Sequence, residues 1–97
     1  MNDEELSKCL AELGNISRLK IFKLLVKAGH EGLPVGTIQK SLDIPGSTLS
    51  HHLTKLSHQD LIIQKKEGRV INCIANYDIL DLVVKELQES CCIGFCE

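Results

Sequence analysis

Apolar residues recur at helical spacing through the first third of the chain. In residues 3–13, three leucines are separated by four and three positions, a spacing that puts them on one face of an α-helix. Residues 16–28 repeat the pattern, with basic side chains mostly on the opposite face. We therefore predict two amphipathic helices, the first capped by Asn2 or Asp3 and the second ended by Gly29.

Two shorter helices are predicted next, joined by a tight turn. Pro34 favours a helix start, and apolar residues keep helical spacing as far as Leu42. Residues 43–46 form a turn, and Ser47 is predicted to cap a fourth helix over residues 47–59. Two short helices joined by a turn of about four residues are typical of a helix-turn-helix.

The pattern then changes to β-structure and back to helix. Residues 61–66 and 70–74 are rich in β-branched residues, and Glu67-Gly68 between them indicates a hairpin turn. Residues 77–90 carry a wide apolar stripe at helical spacing. The predicted fold is mainly α with a β-hairpin: a winged helix-turn-helix of four helices, a two-stranded wing and a C-terminal helix. We expect residues 1–97 to form one such domain.

Charge is distributed unevenly along this order. Residues 16–75 carry nine Lys and Arg against four Asp and Glu, whereas the two terminal segments carry two against nine. A basic middle with acidic ends fits a middle that contacts DNA and ends that dimerise, because local charge makes phosphate contacts. Ordinary solvated faces would give the same composition.

The exposed face of the fourth helix and the basic hairpin are the candidate DNA contacts. Recognition helices direct small and medium polar side chains at base edges and phosphates. His51 is expected to face outward, and His52, next to Leu53, to pack partly inward. The predicted DNA-binding residues are Lys40, Ser47, Thr48, Ser50, His51, His52, Thr54, Lys55, Lys65, Lys66 and Arg69.

Several other classes of protein are disfavoured. No apolar run approaches the 18 residues of a membrane span, and the acidic start lacks the features of a signal peptide, so a cytoplasmic protein without a membrane partner is expected. The chain has neither a glycine-rich phosphate loop nor a plausible nucleophile–base pair, so it is not expected to be an enzyme. A metalloid carrier and a winged helix that binds only protein remain alternatives.

Three segments resemble the ArsR/SmtB family of metal-responsive repressors. Residues 14–25, Gly-Asn-Ile-Ser-Arg-Leu-Lys-Ile-Phe-Lys-Leu-Leu, look like the family's second helix, residues 47–56 like its recognition helix, and residues 61–71 like its wing. The resemblance implies a homodimer formed by the first and last helices. It also implies binding to an inverted-repeat operator, with an inducer that weakens the affinity for DNA.

Inducer sites differ among family members, and only one matches this chain. The helix before the recognition helix has no Cys, and the last helix has no His. The remaining cluster, Cys91, Cys92 and Cys96, resembles that of arsenic-responsive members. As(III) and Sb(III) are soft ions that take three thiolates in a pyramidal array. Adjacent cysteines diverge on a helix, so we expect the helix to fray there and Gly94 to adopt a positive φ.

Other roles for the five cysteines remain open. The C-terminal thiols could instead sense oxidants or persulfide, bind Cd(II) or Cu(I), or extend the apolar stripe as small hydrophobes. Cys9 is either a packing residue or a substitute ligand, because the first and last helices should lie close together. Cys73 alternates with Asn72 in the second wing strand and is expected in the core.

Overall fold

The computed structural model describes residues 1–95, which form five α-helices and a small antiparallel sheet. In chain order the elements are α1 Asp3–Leu13, α2 Ile16–Ala28, β1 Leu33–Pro34, α3 Val35–Leu42, α4 Gly46–His58, β2 Ile62–Glu67, β3 Val70–Ala75 and α5 Tyr77–Gln88. The strand order is β1-β3-β2, so the β2–β3 hairpin forms the wing and β1 lies on its inner edge. The predicted winged helix-turn-helix is confirmed.

Local capping explains why the first two helices begin where they do. The Asn2 side chain accepts a hydrogen bond from the Glu5 N–H at 2.8 Å, and the Glu5 carboxylate accepts one from the Asn2 N–H at 3.3 Å. This reciprocal pair is a capping box. Asn15 caps α2 in the same sense, accepting from the N–H groups of Ser17 and Arg18.

The start of α4 differs from the prediction. Ser47 is not the cap; it lies inside the first turn, and Pro45 is the N-cap residue, with φ −56° and ψ 144°. The Leu49 N–H donates to the Pro45 carbonyl at 2.9 Å. The fixed φ of proline suits the extended residue that precedes a helix, so the helix begins one residue earlier, at Gly46.

A third strand was missed because it has only two residues. Pro34 stays extended, with ψ 148°, and Leu33 and Pro34 pair with Cys73 and Asn72 of β3. Two residues are too few to show the alternation that identifies a strand in a sequence. The wing is therefore the outer part of a three-stranded sheet, and α3 begins after Pro34.

The turn before β1 is packed tightly against β3. Gly32 has φ +70°, and a Cβ there would collide with the Cys73 carbonyl oxygen and lie 2.6 Å from Ile74 Cγ1. The Asn72 side-chain amide donates to the Glu31 carbonyl at 2.6 Å. Only glycine fits both the backbone conformation and the space at position 32.

One aliphatic core joins the helices to the sheet. Tyr77 adds a polar tie between α5 and α2: its hydroxyl donates to the Val26 carbonyl at 2.8 Å, with the Leu25 carbonyl at 3.2 Å. The core holds α4 by one face only and so leaves the opposite face outside. The largest fully buried side chains are Ile21, Leu25, Ile38, Leu49, Leu56, Leu61 and Cys73.

Candidate nucleic-acid interface and thiol cluster

Helix α4 presents a polar face to solvent. Its aliphatic face is buried through Leu49, Leu53 and Leu56. No side chain caps its N-terminus among the described residues, so the N–H groups of the first turn can bind a phosphate. Lys55 is half-buried. The predicted contacts that are exposed on this helix are Ser47, Thr48, Ser50, His51 and Thr54.

A groove of about 570 Å³ runs between α3, α4 and the wing. It brings together Lys40 from α3, Ser50 and Thr54 from α4, and Arg69 from the tip of the wing. These four predicted residues come from three separate parts of the chain. The Thr54 hydroxyl donates to the Ser50 carbonyl at 2.9 Å, which fixes the rotamer of Thr54 on the wall of the groove.

Two further polar side chains line the same groove and were missed by the sequence analysis. Thr37 lies three residues before Lys40 on α3, and Gln64 lies on the wing strand β2. Thr37 shares a helix face with Lys40, three residues later, and Gln64 shares a strand face with Lys66, two residues later. Both could therefore have been predicted from the sequence. Uncharged polar side chains such as these can hydrogen-bond base edges, and lysine and arginine can contact phosphates or guanine.

The wing separates its two lysines. Successive side chains of a strand point to opposite faces, and Lys65 lines a different hollow, beside Tyr77 and Asp78. The structure therefore brings Arg69 to the groove but not Lys65. Ion pairing does not neutralise the basic residues: Lys40, Lys55, Lys65, Lys66 and Arg69 pair with no carboxylate of residues 1–95.

His52 is the one predicted DNA contact that the structure moves inside. Its side chain is only 8% exposed, and Nδ1 lies 3.3 Å from the Arg18 Nη1 atom. Burial lowers the pKa of His52, and the nearby positive charges of Arg18, His51 and Lys55 lower it further. The expectation that His52 touches DNA is therefore corrected, whereas its neighbour His51 is exposed as predicted.

The thiol cluster follows the end of α5. The helix stops at Gln88, two residues before the predicted end, because Glu89 leaves the helical conformation with ψ 134°. Ser90, Cys92 and Gly94, which follow, adopt positive φ values. Cys91 and Cys92 are both exposed, and their sulfur atoms lie 3.4 Å apart. Cys96, the third predicted ligand, lies outside the described residues.

The other two cysteines are buried. Burial raises the pKa of Cys73 to about 11. Burial also raises the pKa of Cys9, with smaller contributions from Asp60 and Glu5. Cys9 lies 3.8 Å from the Gln59 carbonyl. Because the thiolate is the metal ligand and the nucleophile, both positions favour packing, as predicted for Cys73. Within residues 1–95, no three His, Cys, Asp or Glu side chains form a metal-binding group.

An apolar surface remains exposed on helices α1, α2 and α5. It includes a shallow hollow between α1, α2 and α5, lined by Leu13, Leu19, Phe22, Val26 and Leu80. Leu87, at the end of α5, is 58% exposed. Apolar surface on terminal helices marks an interaction surface. In the described part of the chain, no helix is long and apolar enough to cross a membrane.

Residues 13–64, from the end of α1 to the wing, match the model of a protein family described as a helix-turn-helix domain. The chain belongs to this family. The match covers α2, β1, α3, α4 and the start of β2, whereas Arg69 at the tip of the wing lies beyond it.

Relatives of this helix-turn-helix chain include regulators of the ArsR type. A curated protein of Halobacterium salinarum, "Putative arsenical resistance operon repressor ArsR", is 37% identical over 60 residues, which is 62% of this chain. The matched segment is 46% of that protein, so the match spans about half of the relative's length.

Similar solved structures extend the likeness to nearly the whole chain. NolR from Sinorhizobium fredii is 29% identical, with a TM-score of 0.71 over 89% of this chain and 83% of that one. The transcriptional repressor PagR of Bacillus anthracis is 28% identical, with a TM-score of 0.71 over 87% and 93%. An ArsR-like regulator from Rhodococcus sp. RHA1 shares the fold at 22% identity, with a TM-score of 0.75 over 89% and 78%.

The predicted helix-turn-helix class is therefore confirmed. Beyond this family, the chain is similar to regulators of the ArsR type. The expectation that it is not an enzyme agrees with these similarities to transcription regulators.

Proposed function

We propose that this protein is a homodimeric transcriptional repressor that binds an inverted-repeat operator and is released by As(III) or Sb(III) bound to C-terminal thiolates. The observation that carries the DNA-binding part is the groove in which Lys40, Ser50, Thr54 and Arg69 converge. The thiol part rests on the exposed pair Cys91 and Cys92. The inducer acts by changing the dimer and so the spacing of the two α4 helices.

The groove has the composition that DNA reading requires. Its basic groups have no carboxylate partner among the described residues, so they are available to phosphates. Its uncharged polar groups lie on α4 beside them, where a recognition helix contacts bases. This juxtaposition supports a DNA partner over a protein-only winged helix.

DNA binding can be tested by letting the protein select its own operator. The protein is mixed with a random library of duplexes, and the affinity for a selected duplex is compared with that for a scrambled one at several salt concentrations. We expect tighter binding to the selected duplex and a steep loss with salt, since each phosphate contact contributes about 0.9 to the log–log slope. Lys40→Ala should reduce this slope, whereas Lys85→Ala, on the exposed side of α5, should not. A protein that selects no sequence would refute the proposal.

The uncovered apolar surface supports the homodimer. A structural neighbour from Mycobacterium bovis, 19% identical, is described as a homodimeric winged helix-turn-helix DNA-binding domain. By analogy, a second copy would cover the face of α1 and α5. Sedimentation equilibrium tests this: Leu87→Glu should weaken the dimer, whereas Ile63→Glu, at an exposed apolar position on the wing, should not. A monomeric wild-type protein would exclude this assembly.

The spacing of the two exposed thiols suits a shared thiophilic ion. Their 3.4 Å separation is well above the disulfide bond length of about 2.05 Å. An ion that binds thiolate sulfur at about 2.3 Å, as zinc does, can reach both. As(III) needs a third thiolate, and Cys96 is the proposed source. When bound, the ion would cross-link the thiolates of the segment that follows α5.

The inducer is tested on the complex with a selected duplex. As(III), Zn(II) and a persulfide donor are added in turn to the reduced protein while fluorescence anisotropy of the DNA is followed. We expect release by about one equivalent of As(III) per subunit, and loss of the response in Cys91→Ser, Cys92→Ser and Cys96→Ser. Cys9→Ala serves as the control and should respond normally. If all three serine variants still leave DNA with As(III), the proposed site is wrong.

A thiol-based redox or persulfide sensor is the second candidate. Two adjacent, exposed thiols with sulfurs in contact favour oxidation as well as metalloid binding. In that case the persulfide donor or an oxidant would release the DNA and As(III) would not.

A further inference from the structure

A partly buried network of polar side chains connects helices α1, α2 and α4. Arg18 on α2 is at its centre: its Nε–H donates to the Glu12 carbonyl of α1 at 2.8 Å, and Nη1 lies 3.3 Å from His52 Nδ1 on α4. The Glu12 carboxylate lies 3.3 Å from Nε as an ion-pair partner. The side chains of Arg18 and Glu12 are only 13% and 20% exposed.

The contact between Arg18 and His52 fixes the protonation state of the histidine. A guanidinium group only donates hydrogen bonds, so Nδ1 of His52 must accept. His52 is therefore neutral, with its proton on Nε2. Within residues 1–95, it is the buried polar side chain in an otherwise apolar core.

The contact between Arg18 and His52 can set the orientation of α4, which aliphatic packing alone does not. The leucines of α4 are held by burial, which is non-directional. A hydrogen bond to a partly buried charged donor depends on geometry and is stronger than one between neutral groups. It selects one rotation and one depth of α4, and with it the direction in which Ser50 and Thr54 point.

We propose that Arg18 and His52 are positioning residues for DNA reading, which orient α4 on α2 and connect it through Glu12 to helix α1. The proposal rests on the DNA-binding function proposed above. The same network links α1, the helix expected in the dimer interface, to α4, the helix expected in the major groove. It therefore offers a route by which a change at the dimer reaches the DNA.

The network of Arg18, His52 and Glu12 predicts how the affinity for DNA changes with pH. Protonation of His52 removes the acceptor and puts a cation against Arg18, so specific affinity should fall as the solution becomes acidic. His51 is exposed beside His52 on the same helix, so its contribution has to be removed to measure that of His52. The charged groups that act on His52 are Arg18 of α2, with Glu12 of α1 behind it, and His51 and Lys55 of α4.

The experiment compares affinities for the selected and the scrambled duplex by anisotropy, with circular dichroism as the check of folding. His52→Leu and Arg18→Lys should each weaken binding to the selected duplex by about tenfold and leave the scrambled duplex nearly unaffected. Because the two residues share one contact, the double variant should lose little more than either single variant. His52→Asn, which keeps an acceptor near the position of Nδ1, should restore most of the affinity.

A second measurement does not depend on how well the leucine variant folds. In a His51→Asn background, the selected duplex should bind more weakly at pH 5.5 than at pH 7.5, and this difference should disappear when His52→Asn is added. His58→Asn, at an exposed position on the same helix, should leave the difference unchanged.

Three outcomes would overturn the positioning role. They are wild-type affinity in a folded His52→Leu protein, additive losses in the double variant, and a pH dependence that survives His52→Asn. A wild-type protein that selects no duplex would instead remove the DNA-binding function itself, so the two failures are distinguishable.

Discussion

Replacing Gly32 by alanine should destabilise the protein more than any other glycine substitution in the sheet region. Position 32 has φ +70°, and the added Cβ would meet the backbone of β3 at Cys73 and the Ile74 side chain. The left-handed conformation costs an L-residue about 1–2 kcal/mol. Overpacking against a backbone that must shift adds about 1–3 kcal/mol. We expect a loss of about 2–5 kcal/mol, a large part of the 5–15 kcal/mol typical of a domain.

Substitutions at two other glycines help to distinguish the conformational cost from the cost of steric overlap. Gly29 has φ +84° and open space around its Cβ position, so Gly29→Ala should show the conformational cost alone, about 1–3 kcal/mol. Gly36 lies inside α3, also with open space, and Gly36→Ala should stabilise the protein by up to about 1 kcal/mol.

Urea unfolding followed by far-UV circular dichroism measures all three variants. Protein concentration is held fixed, because dimerisation would make the stability depend on it. If Gly32→Ala loses no more than Gly29→Ala, the close approach of the turn to β3 is not a real constraint. If Gly36→Ala is destabilising, the assignment of residue 36 to a helix is wrong.

Three further predictions concern His52, Tyr77 and the cysteines. Because the folded-state pKa of His52 lies below its usual value of about 6.5, its contribution to stability is complete above that pH and declines as the pH falls. Thermal melts at pH 7.5 and 5.5 should therefore differ less in His52→Asn than in the wild type. Tyr77→Phe removes the hydroxyl that donates to Val26 and should lower the free energy of unfolding by about 1 kcal/mol; an unchanged urea midpoint would contradict this. A thiol reagent should modify Cys92 in the native protein within seconds, but Cys73, with its pKa raised to about 11, only after unfolding; peptide mapping by mass spectrometry distinguishes the two, and early labelling of Cys73 would refute its burial.

Local pattern was sufficient for most of the fold. The predicted limits of α1 and α2 agree with the structure, because helical spacing and asparagine caps act over a few residues. The wing hairpin was also predictable, since the turn at Gly68 and its β-branched flanks are adjacent in sequence. The exposed side of α4 followed from the spacing of its leucines.

Contacts between distant residues decided what the sequence left open. Strand β1 exists because Leu33 pairs with Cys73, and neither residue alone indicates it. His52 was included among the DNA contacts although it was expected to pack partly inward, and in the structure it is buried in contact with Arg18, 34 positions earlier in the chain.

The candidate sites likewise depend partly on local sequence and partly on contacts between distant residues. The sequence by itself determined which residue types are available: a polar recognition helix, a basic wing and clustered C-terminal thiols. Only the tertiary structure decided that Lys40 and Arg69 share one groove while Lys65 does not. The physical reason is that helix and strand periodicity fixes the face on which a side chain lies, whereas the packing of elements fixes what that face meets.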